Sequence, residues 1–270
     1  MKKIIIKKNE KKELKISINN NDDFSIVVKE NAELNLMAIF TSKNNFDSKT
    51  NFDIHLMENS KLNFINLQKF SEDVLNDNER IVRLERNSSF NLFDINFGSK
   101  IINSDVSVNL DGENSRFEHF GVFASNKDQK FNFNVNAFHN APYTYSNMLT
   151  KGALNDNSKV NYKGLIKINK KAHDSNGYQK HDAILLNENA ESNSIPKLEI
   201  DNNEVKCTHG SSCSQLDDDI LFYVMSRGLN EKEAKISLVK GFLHEVINKV
   251  NFGELDELIS EKIKWLTQKK

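Results

Sequence analysis

The side chains best suited to chemistry lie together over residues 206–213, in the order Lys-Cys-Thr-His-Gly-Ser-Ser-Cys. In an extended strand, Cys207 and His209 point to the same face because side chains alternate. A thiolate and an imidazole on one face can bind a soft metal ion or an iron–sulfur species, or the imidazole can lower the pKa of the thiol. Two ligands make half a site, so a second chain would have to supply the rest. The alternative, a buried thiol beside a surface histidine, stays open on spacing alone.

Sequence templates of common catalytic sites do not occur elsewhere in the chain. It contains no Walker-type glycine loop, dinucleotide-binding fingerprint, HExxH, GxSxG or CxxC motif. Its 10 glycines leave little material for a phosphate-binding loop. The 2 cysteines are too close together for a disulfide framework and are expected to be free thiols. His55 and His119 fall within strand patterns, and we assign them no role.

Charge and hydropathy exclude two broad classes of protein. The chain has 37 basic and 38 acidic residues, a formal net charge of −1, and a basic block only at residues 2–12, so nucleic-acid binding is not expected. The longest apolar runs, such as residues 4–6, are far shorter than the roughly 20 residues that span a bilayer. The N-terminus has no signal-peptide hydrophobic region. We therefore expect a soluble, cytoplasmic protein that binds neither nucleic acid nor membrane.

A short segment that begins with asparagine repeats along the chain. Copies at Asn31, Asn59, Asn87 and Asn114 start 28, 28 and 27 residues apart, and the pattern recurs at Asn157. In each copy the fourth and sixth positions are mostly large and apolar and the fifth is polar, which is the alternation of a half-buried strand. Asparagine also tolerates the left-handed backbone of tight turns. A strand–turn–strand unit repeated at this interval predicts a β-solenoid, with an all-β sandwich as the competing fold.

The composition changes after about residue 204, where asparagine becomes rare and helical periodicity begins. We expect a β core over residues 1–210 and a small α-helical domain over residues 211–270. A first helix over 217–227 is stopped by Gly228, a second begins at Asn230 with a capping-box pattern, and a third spans about 254–266. Such short helices bury little surface alone, so they must dock on the solenoid end or on a partner.

Two motifs stand at a fixed spacing near the end of the chain. A Cys-x-His-Gly segment at 207–210 precedes Phe-Tyr-x-x-Ser-Arg-Gly at 222–228, with 11 residues between them. This pairing resembles the C-terminal signature of the SufB/SufD family, the scaffold subunits of the Suf iron–sulfur cluster assembly machinery. The dense similarity covers about 75 residues, and a looser one reaches back through Lys151-Gly152 and residues 183–186.

The resemblance implies a mainly β fold: a right-handed parallel β-helix with a small C-terminal helical domain. It implies a non-catalytic scaffold that works with a SufC-type ABC ATPase and a SufB-type subunit. An iron–sulfur cluster would be built transiently at the subunit interface, with none tightly bound to the isolated chain. His209 would contribute to that interface, with Cys207 as the nearby thiol. The residues expected to shape the ATPase-docking helices are Phe222, Arg227, Gly228, Gly241 and Phe242.

Two positions favour the SufD type over the SufB type. SufB-type chains carry an acidic residue after the motif histidine and a cysteine in an upstream strand, whereas this sequence has Gly210 and His181 there. The chain is short for a SufD, so its partner is expected to be a SufB-type subunit or an identical chain in a homodimer. His181 is then a candidate ligand where SufB uses a thiol. Cys213 departs from the family pattern.

Two other functions stay open. A β-helix carbohydrate-active enzyme, a lyase or glycosidase, would suit the fold and its many carboxylates. Against it, the sequence shows no export signal, and its 1 tryptophan, Trp265, lies in the helical tail. The third possibility is a purely structural solenoid that binds a partner, with the cysteine and the histidine incidental.

Overall fold

The computed structural model of the chain describes residues 1–19, 21–41, 47–249, 261 and 263. In this part of the chain, sixteen β-strands precede the two helices α1 and α2. The strands are β1 Lys2–Ile6, β2 Lys11–Ile18, β3 Asp22–Val28, β4 Glu33–Phe40, β5 Ser48–Leu56, β6 Lys61–Gln68, β7 Leu75–Leu84, β8 Ser89–Asn96, β9 Ile101–Leu110, β10 Arg116–Ser125, β11 Lys130–His139, β12 Tyr145–Leu154, β13 Lys159–Ile168, β14 Asn176–Leu185, β15 Glu191–Ile200 and β16 Lys206–Gln215. The helices are α1 Asp218–Ser226 and α2 Glu231–Ile247.

The strands alternate between two sheets. Odd-numbered strands form one sheet, in the order β1 to β15, and even-numbered strands form the other, in the order β2 to β16. We call them the odd sheet and the even sheet. Neighbouring strands are parallel, as β10 is with both β8 and β12. Each coil therefore gives one strand to each sheet and stacks on the coil before it, which is the predicted parallel β-solenoid and not an all-β sandwich.

Asparagines build the corner at which the chain passes from the odd sheet to the even sheet. Asn31, Asn59, Asn87 and Asn114 have φ angles between 55 and 60°. Asparagine adopts this left-handed conformation more readily than most residues that carry a side chain. Each side-chain amide also donates to the asparagine one coil earlier, at 2.9 Å between Asn87 Nδ2 and Asn59 Oδ1. The repeated residue therefore sets both the turn and the stacking of successive coils.

The copy at Asn157 lies at the opposite corner, where the chain returns from the even sheet to the odd sheet. Here the residue with the left-handed backbone is Asp156, at φ 53°. Asn157 instead donates to Asp128 Oδ1 at 3.3 Å. Both corners place a buried serine before the next strand, Ser60 at one and Ser158 at the other. The sequence match is explained by that shared serine, and the predicted strand–turn–strand unit is present here with the left-handed residue one position earlier.

Stacking in register places like residues on one another in the core. The rings of Phe90 and Phe117 occupy paired positions of β8 and β10 and stack with centroids 5.6 Å apart. Phe24 and Phe52 stack in the same way, at 4.9 Å. Full burial of such a side chain stabilises the fold by about 1.5–3 kcal/mol. The alternation of apolar residues thus specifies the interior coil by coil.

Helix α2 packs on the outer face of the even sheet. Its residues Val239 and Leu243 are fully buried, in one cluster with Phe120 of β10 and Leu149 of β12. The helix begins with the predicted capping box, because the side chain of its N-cap Asn230 and that of the residue three positions on each bond the other's backbone N–H at 3.0 Å. The second helix therefore docks on the solenoid through one apolar face.

Helix α1 has the predicted start and stop but no buried residue. Asp217 caps its first turn, and Gly228 follows it with φ 99°. The strand before it, β16, ends at Gln215, and the division of the chain into two domains stays a prediction. The predicted helix over 254–266 lies outside the described residues apart from 261 and 263, which are helical. None of the described helices is long and apolar enough to cross a bilayer.

Replacing Asn59 by alanine should lower the free energy of unfolding by about 1–2 kcal/mol, because a Cβ-bearing residue without a local hydrogen bond is strained at φ 57°. Asn59→Gly removes the same side-chain hydrogen bonds but tolerates the angle, so its loss should be smaller. Equilibrium urea unfolding measures both variants. Equal losses would show that the backbone conformation is not what Asn59 contributes.

Candidate functional site

The last coil, formed by β15 and β16, is an open end of the solenoid. Within the part of the chain that the structure describes, each of these strands pairs on one side only, β15 with β13 and β16 with β14. Inward residues of β14, such as Gln179 and Ala183, are buried. The residues that continue these inward rows in β16, His209 and Cys213, are exposed. No described coil covers them, so this end presents interior positions to solvent.

Cys207 and His209 lie on the same, inward-facing side of β16. Cys207 stands opposite Gly177 and His209 opposite Gln179 in the register with β14. The thiol is half-buried and packs against the core, whereas the imidazole is exposed. A Cβ added to Gly177 would lie 3.3 Å from Cys207 Sγ. The glycine therefore leaves the room that the thiol occupies.

The thiols of this strand are not activated within the single chain. Burial raises the pKa of Cys207 to about 11. Burial also raises the pKa of Cys213, and a hydrogen bond with Ser192 acts in the opposite sense. Both cysteines are free. In the single chain, burial therefore sets the pKa of Cys207, and a metal ion that binds here must displace the proton.

His181 lies in β14, one coil inside the open end. Its ring is sandwiched between Tyr162, at 4.5 Å between centroids, and Phe123, at 5.9 Å. Burial lowers its pKa to about 4, so the ring is neutral at pH 7. Its register partner in β16 is Ser211, not His209. The structure thus brings Cys207 and His209 together on one strand and leaves His181 in the aromatic core behind them.

A buried polar cluster in the middle of the solenoid was missed by the sequence analysis. Arg80 Nη1 lies 3.1 Å from Asp94 Oδ2, and Asn66 donates to Asp94 Oδ1 at 2.5 Å. Burial would raise the pKa of Asp94, but the charge of Arg80 and the neighbouring His119 hold it well below its usual range. The sequence could have indicated it, because Arg80 lies in the same alternating row of positions as the buried apolar residues of β7. Asp94 and His119 border a cavity with room for about one water molecule.

The five residues predicted to shape the ATPase-docking helices differ in their exposure to solvent. Phe222 is 73% exposed on α1. Arg227, the C-cap of that helix, donates to the hydroxyl of Tyr223 at 3.0 Å, and Gly228 follows. Gly241 on α2 is exposed, with nothing within 4 Å of an added Cβ. Phe242 instead faces the solenoid, its ring 4.8 Å from Lys151 Nζ.

Lys151 links α2 to the even sheet beside these residues. Its ammonium group is largely buried and lies 2.5 Å from Glu245 Oε2 of α2 and 3.8 Å from Asp182 Oδ2 of β14. Asp182 in turn accepts a hydrogen bond from Ser212 of β16 at 2.6 Å. Two ion pairs and one hydrogen bond thus link α2 to the last strand.

One chain offers an incomplete ligand set at its open end. Across the described residues, no three His, Cys, Asp or Glu side chains group closely enough to hold a metal ion. Cys207 and His209 supply one sulfur and one nitrogen, donors that suit soft metals and iron–sulfur species. The chemistry available here is therefore half of a coordination sphere, presented at an edge that another chain can approach.

Comparison with known proteins gives a family match over most of the chain. Residues 12–242 match the family model for the SufBD core domain of SUF system FeS cluster assembly. An iron–sulfur cluster assembly SufBD family protein of Mycobacterium bovis is 30% identical over 210 residues, 77% of this chain and 25% of the relative. One from Synechocystis is 32% identical over 180 residues, 66% of this chain and 38% of the relative. A chloroplastic one from Arabidopsis thaliana is 30% identical over 169 residues, which are 62% of this chain and 30% of the relative. The chain thus spans well under half the length of these relatives.

Two buried histidines, His181 of β14 and His139 at the end of β11, should make the fold less stable as the pH falls. Burial lowers the pKa of each from 6.5 to about 4. Between pH 6.5 and pH 4, the unfolded chain therefore binds more protons than the folded chain. The stability that the neutral imidazoles contribute is complete above pH 6.5 and declines as the pH falls toward 4. From pH 7 to pH 5, each histidine should cost about 2 kcal/mol of unfolding free energy.

His181→Phe should reduce this loss between pH 7 and pH 5 by about 2 kcal/mol, because the ring stack with Tyr162 and Phe123 stays while the titrating group is removed. Urea unfolding at the two pH values measures it. If wild type and variant lose stability in parallel, the imidazole of His181 is not held neutral by burial.

Proposed function

This chain belongs to the SufBD core family of the SUF iron–sulfur cluster assembly system, and we propose that it is a non-catalytic, SufD-like scaffold subunit. In this role it binds a SufC-type ABC ATPase through its C-terminal helices. It contributes Cys207 and His209 at an interface with a SufB-type or identical subunit. The iron–sulfur cluster is its cargo, held transiently at that interface, and the complex works in the cytoplasm.

The observation that carries this proposal is the open last coil. Its inward row offers a thiol and an imidazole two residues apart, on a strand whose second side pairs with none of the described residues. A chain that acted alone would leave this row half exposed and its ligand set incomplete. An interface subunit needs these two properties, because the second chain both covers the edge and adds ligands.

Helix α1 supports the ATPase-binding part of the proposal. Ile220, Phe222 and Tyr223 are 50%, 73% and 57% exposed, an unusual apolar content for a surface helix without buried residues. The adjoining Gly241 face of α2 is also open. An ATPase that docks here would be coupled to the last coil through the Lys151 ion pairs. Movement of the helices on nucleotide hydrolysis would then reach the strand that carries the ligands.

In anaerobic co-expression with a SufC-type ATPase and a SufB-type subunit, the wild-type chain should co-purify with both and with a brown chromophore. His209→Ala should keep the ATPase and lose most of the visible absorbance, because the imidazole is exposed and its removal leaves the fold intact. Phe222→Ser is the matched variant: it should lose the ATPase and leave the unfolding transition unchanged.

Absorbance that is unaffected by His209→Ala would contradict the assembly role of the last coil and favour a purely structural solenoid. Failure of the wild-type chain to bind any SufC-type ATPase, with the fold intact, would contradict the docking role of α1.

A further inference from the structure

The first coil, formed by β1 and β2, is the other end of the solenoid and contains the basic block at residues 2–12. Within the described part of the chain, β1 pairs only with β3 and β2 only with β4. Residues 1–11 lie outside the region that matches the family model. The proposed function therefore leaves this end of the molecule without a role.

The outer edge of β1 carries backbone groups that no described strand pairs. Lys29 donates its backbone N–H to the carbonyl of Ile6 at 3.0 Å, so the backbone of Ile6 faces β3. In a parallel ladder, alternate residues turn both backbone groups toward the same neighbour, so the even-numbered residues of β1 are bonded to β3. Lys3 and Ile5 consequently direct their N–H and C=O groups away from it.

The side chains of this end form an apolar floor with lysines at its rim. Lys2 and Lys12 start the inward rows of their strands, and Lys2 Nζ lies 5.4 Å from the ring centroid of Phe24 in the next coil. On the outer face of the sheet, Ile5 is 54% exposed. Three inward-facing apolar side chains are only partly buried: Ile4, Leu14 and Ile16.

Most of the lysines here carry a charge that no described residue neutralises. Lys2 and Lys11 form ion pairs with Asp22 and Glu33 of the next coil, at 2.7 and 3.2 Å. Five other lysines are exposed and form no ion pair with a described residue: Lys3, Lys7, Lys8, Lys12 and Lys15. A surface of one charge sign favours a partner of the opposite sign, which here is an acidic one.

We propose that an acidic, extended segment of a partner protein adds to the free edge of β1 as a further strand. Residues 2–8 read Lys-Lys-Ile-Ile-Ile-Lys-Lys, which is symmetric about Ile5. A short apolar run with carboxylates on both sides therefore sets carboxylates opposite lysines in either strand direction. Its backbone bonds to Lys3 and Ile5, and its apolar side chains cover Ile4 and Ile5.

The same symmetry opposes pairing of this edge with its own copy. Two β1 edges that ran antiparallel about Ile5 would set Lys3 of one chain opposite Lys7 of the other, and like charges directly opposite are destabilising. An anionic membrane would attract the lysines but would leave the backbone groups of the edge unpaired, because hydrocarbon offers no hydrogen bonds. An acidic strand satisfies both the charges and the backbone.

A labelled synthetic peptide, Glu-Glu-Val-Val-Val-Glu-Glu with blocked ends, is the probe. Fluorescence anisotropy should show saturable binding to the full chain, and added salt should weaken it. The matched control peptide, Lys-Lys-Val-Val-Val-Lys-Lys, should not bind. In amide exchange followed by NMR, the N–H groups of Lys3 and Ile5 should become protected by the acidic peptide. Those of Ile4 and Ile6, already bonded to β3, should change little.

Two variants separate the charge from the strand pairing. Lys3→Glu combined with Lys7→Glu should lower the affinity for the acidic peptide about tenfold or more and allow the basic peptide to bind. Ile5→Pro keeps every lysine but removes an N–H that faces the partner, so it should lower the affinity by a similar factor. Proline is tolerated on edge strands, and a cooperative urea transition checks that each variant folds.

Failure of the acidic peptide to bind, or equal binding of both peptides, would overturn the acidic partner. Unchanged affinity in Ile5→Pro, with the amides of Lys3 and Ile5 still unprotected, would overturn strand addition. Phosphatidylserine vesicles that bind the chain when the acidic peptide does not would also overturn the proposal and identify an anionic lipid surface. These outcomes are independent of the proposed function, because β1 and β15 lie at opposite ends of the odd sheet.

Discussion

Hydrogen bonding between successive parallel coils is the constraint on which the rest of this structure depends. Every interior strand is satisfied on both sides by the coils before and after it, and its inward side chains are buried by the same neighbours. Among the described residues, the last coil has one neighbouring coil only. Its outer backbone groups and its inward row, with Cys207 and His209, consequently lack a covering strand there, and under the proposed function another chain completes them. The candidate site is a direct result of where the described stacking stops.

The same in-register stacking explains which residues contact one another in the interior. It sets Phe90 on Phe117 and equally sets Asn66 beside Asp94, one coil apart. A buried carboxylate is costly unless it is paired, and here Arg80 and hydrogen-bond donors compensate for the loss of water. Removal of one partner would leave the other charge buried and unpaired. The solenoid therefore has a polar middle as well as a reactive end, both positioned by register.

Much of this architecture was predictable from the sequence, because a solenoid repeats its physical requirements. Asparagine at left-handed corners, alternation in the strands and the capping box at Asn230 all report local structure. The pattern at Asn157 also marks a turn between strands, but sequence similarity does not tell which of the two corners a turn forms. Alternation predicts that Cys207 and His209 share a face, but it cannot tell that His181 is enclosed by aromatic rings from neighbouring coils. Burial of that kind depends on Tyr162 and Phe123, which are 19 and 58 positions away in the sequence.

The central claim, that another chain completes the edge of β16, is tested most directly by amide hydrogen exchange followed residue by residue by NMR. The chain alone and the assembled complex would be compared. The account predicts that the amides of Cys207, His209, Ser211 and Cys213 become protected on assembly, whereas those of Thr208 and Gly210, already bonded to β14, change little. Equal exchange of the odd-numbered amides in both states would contradict it.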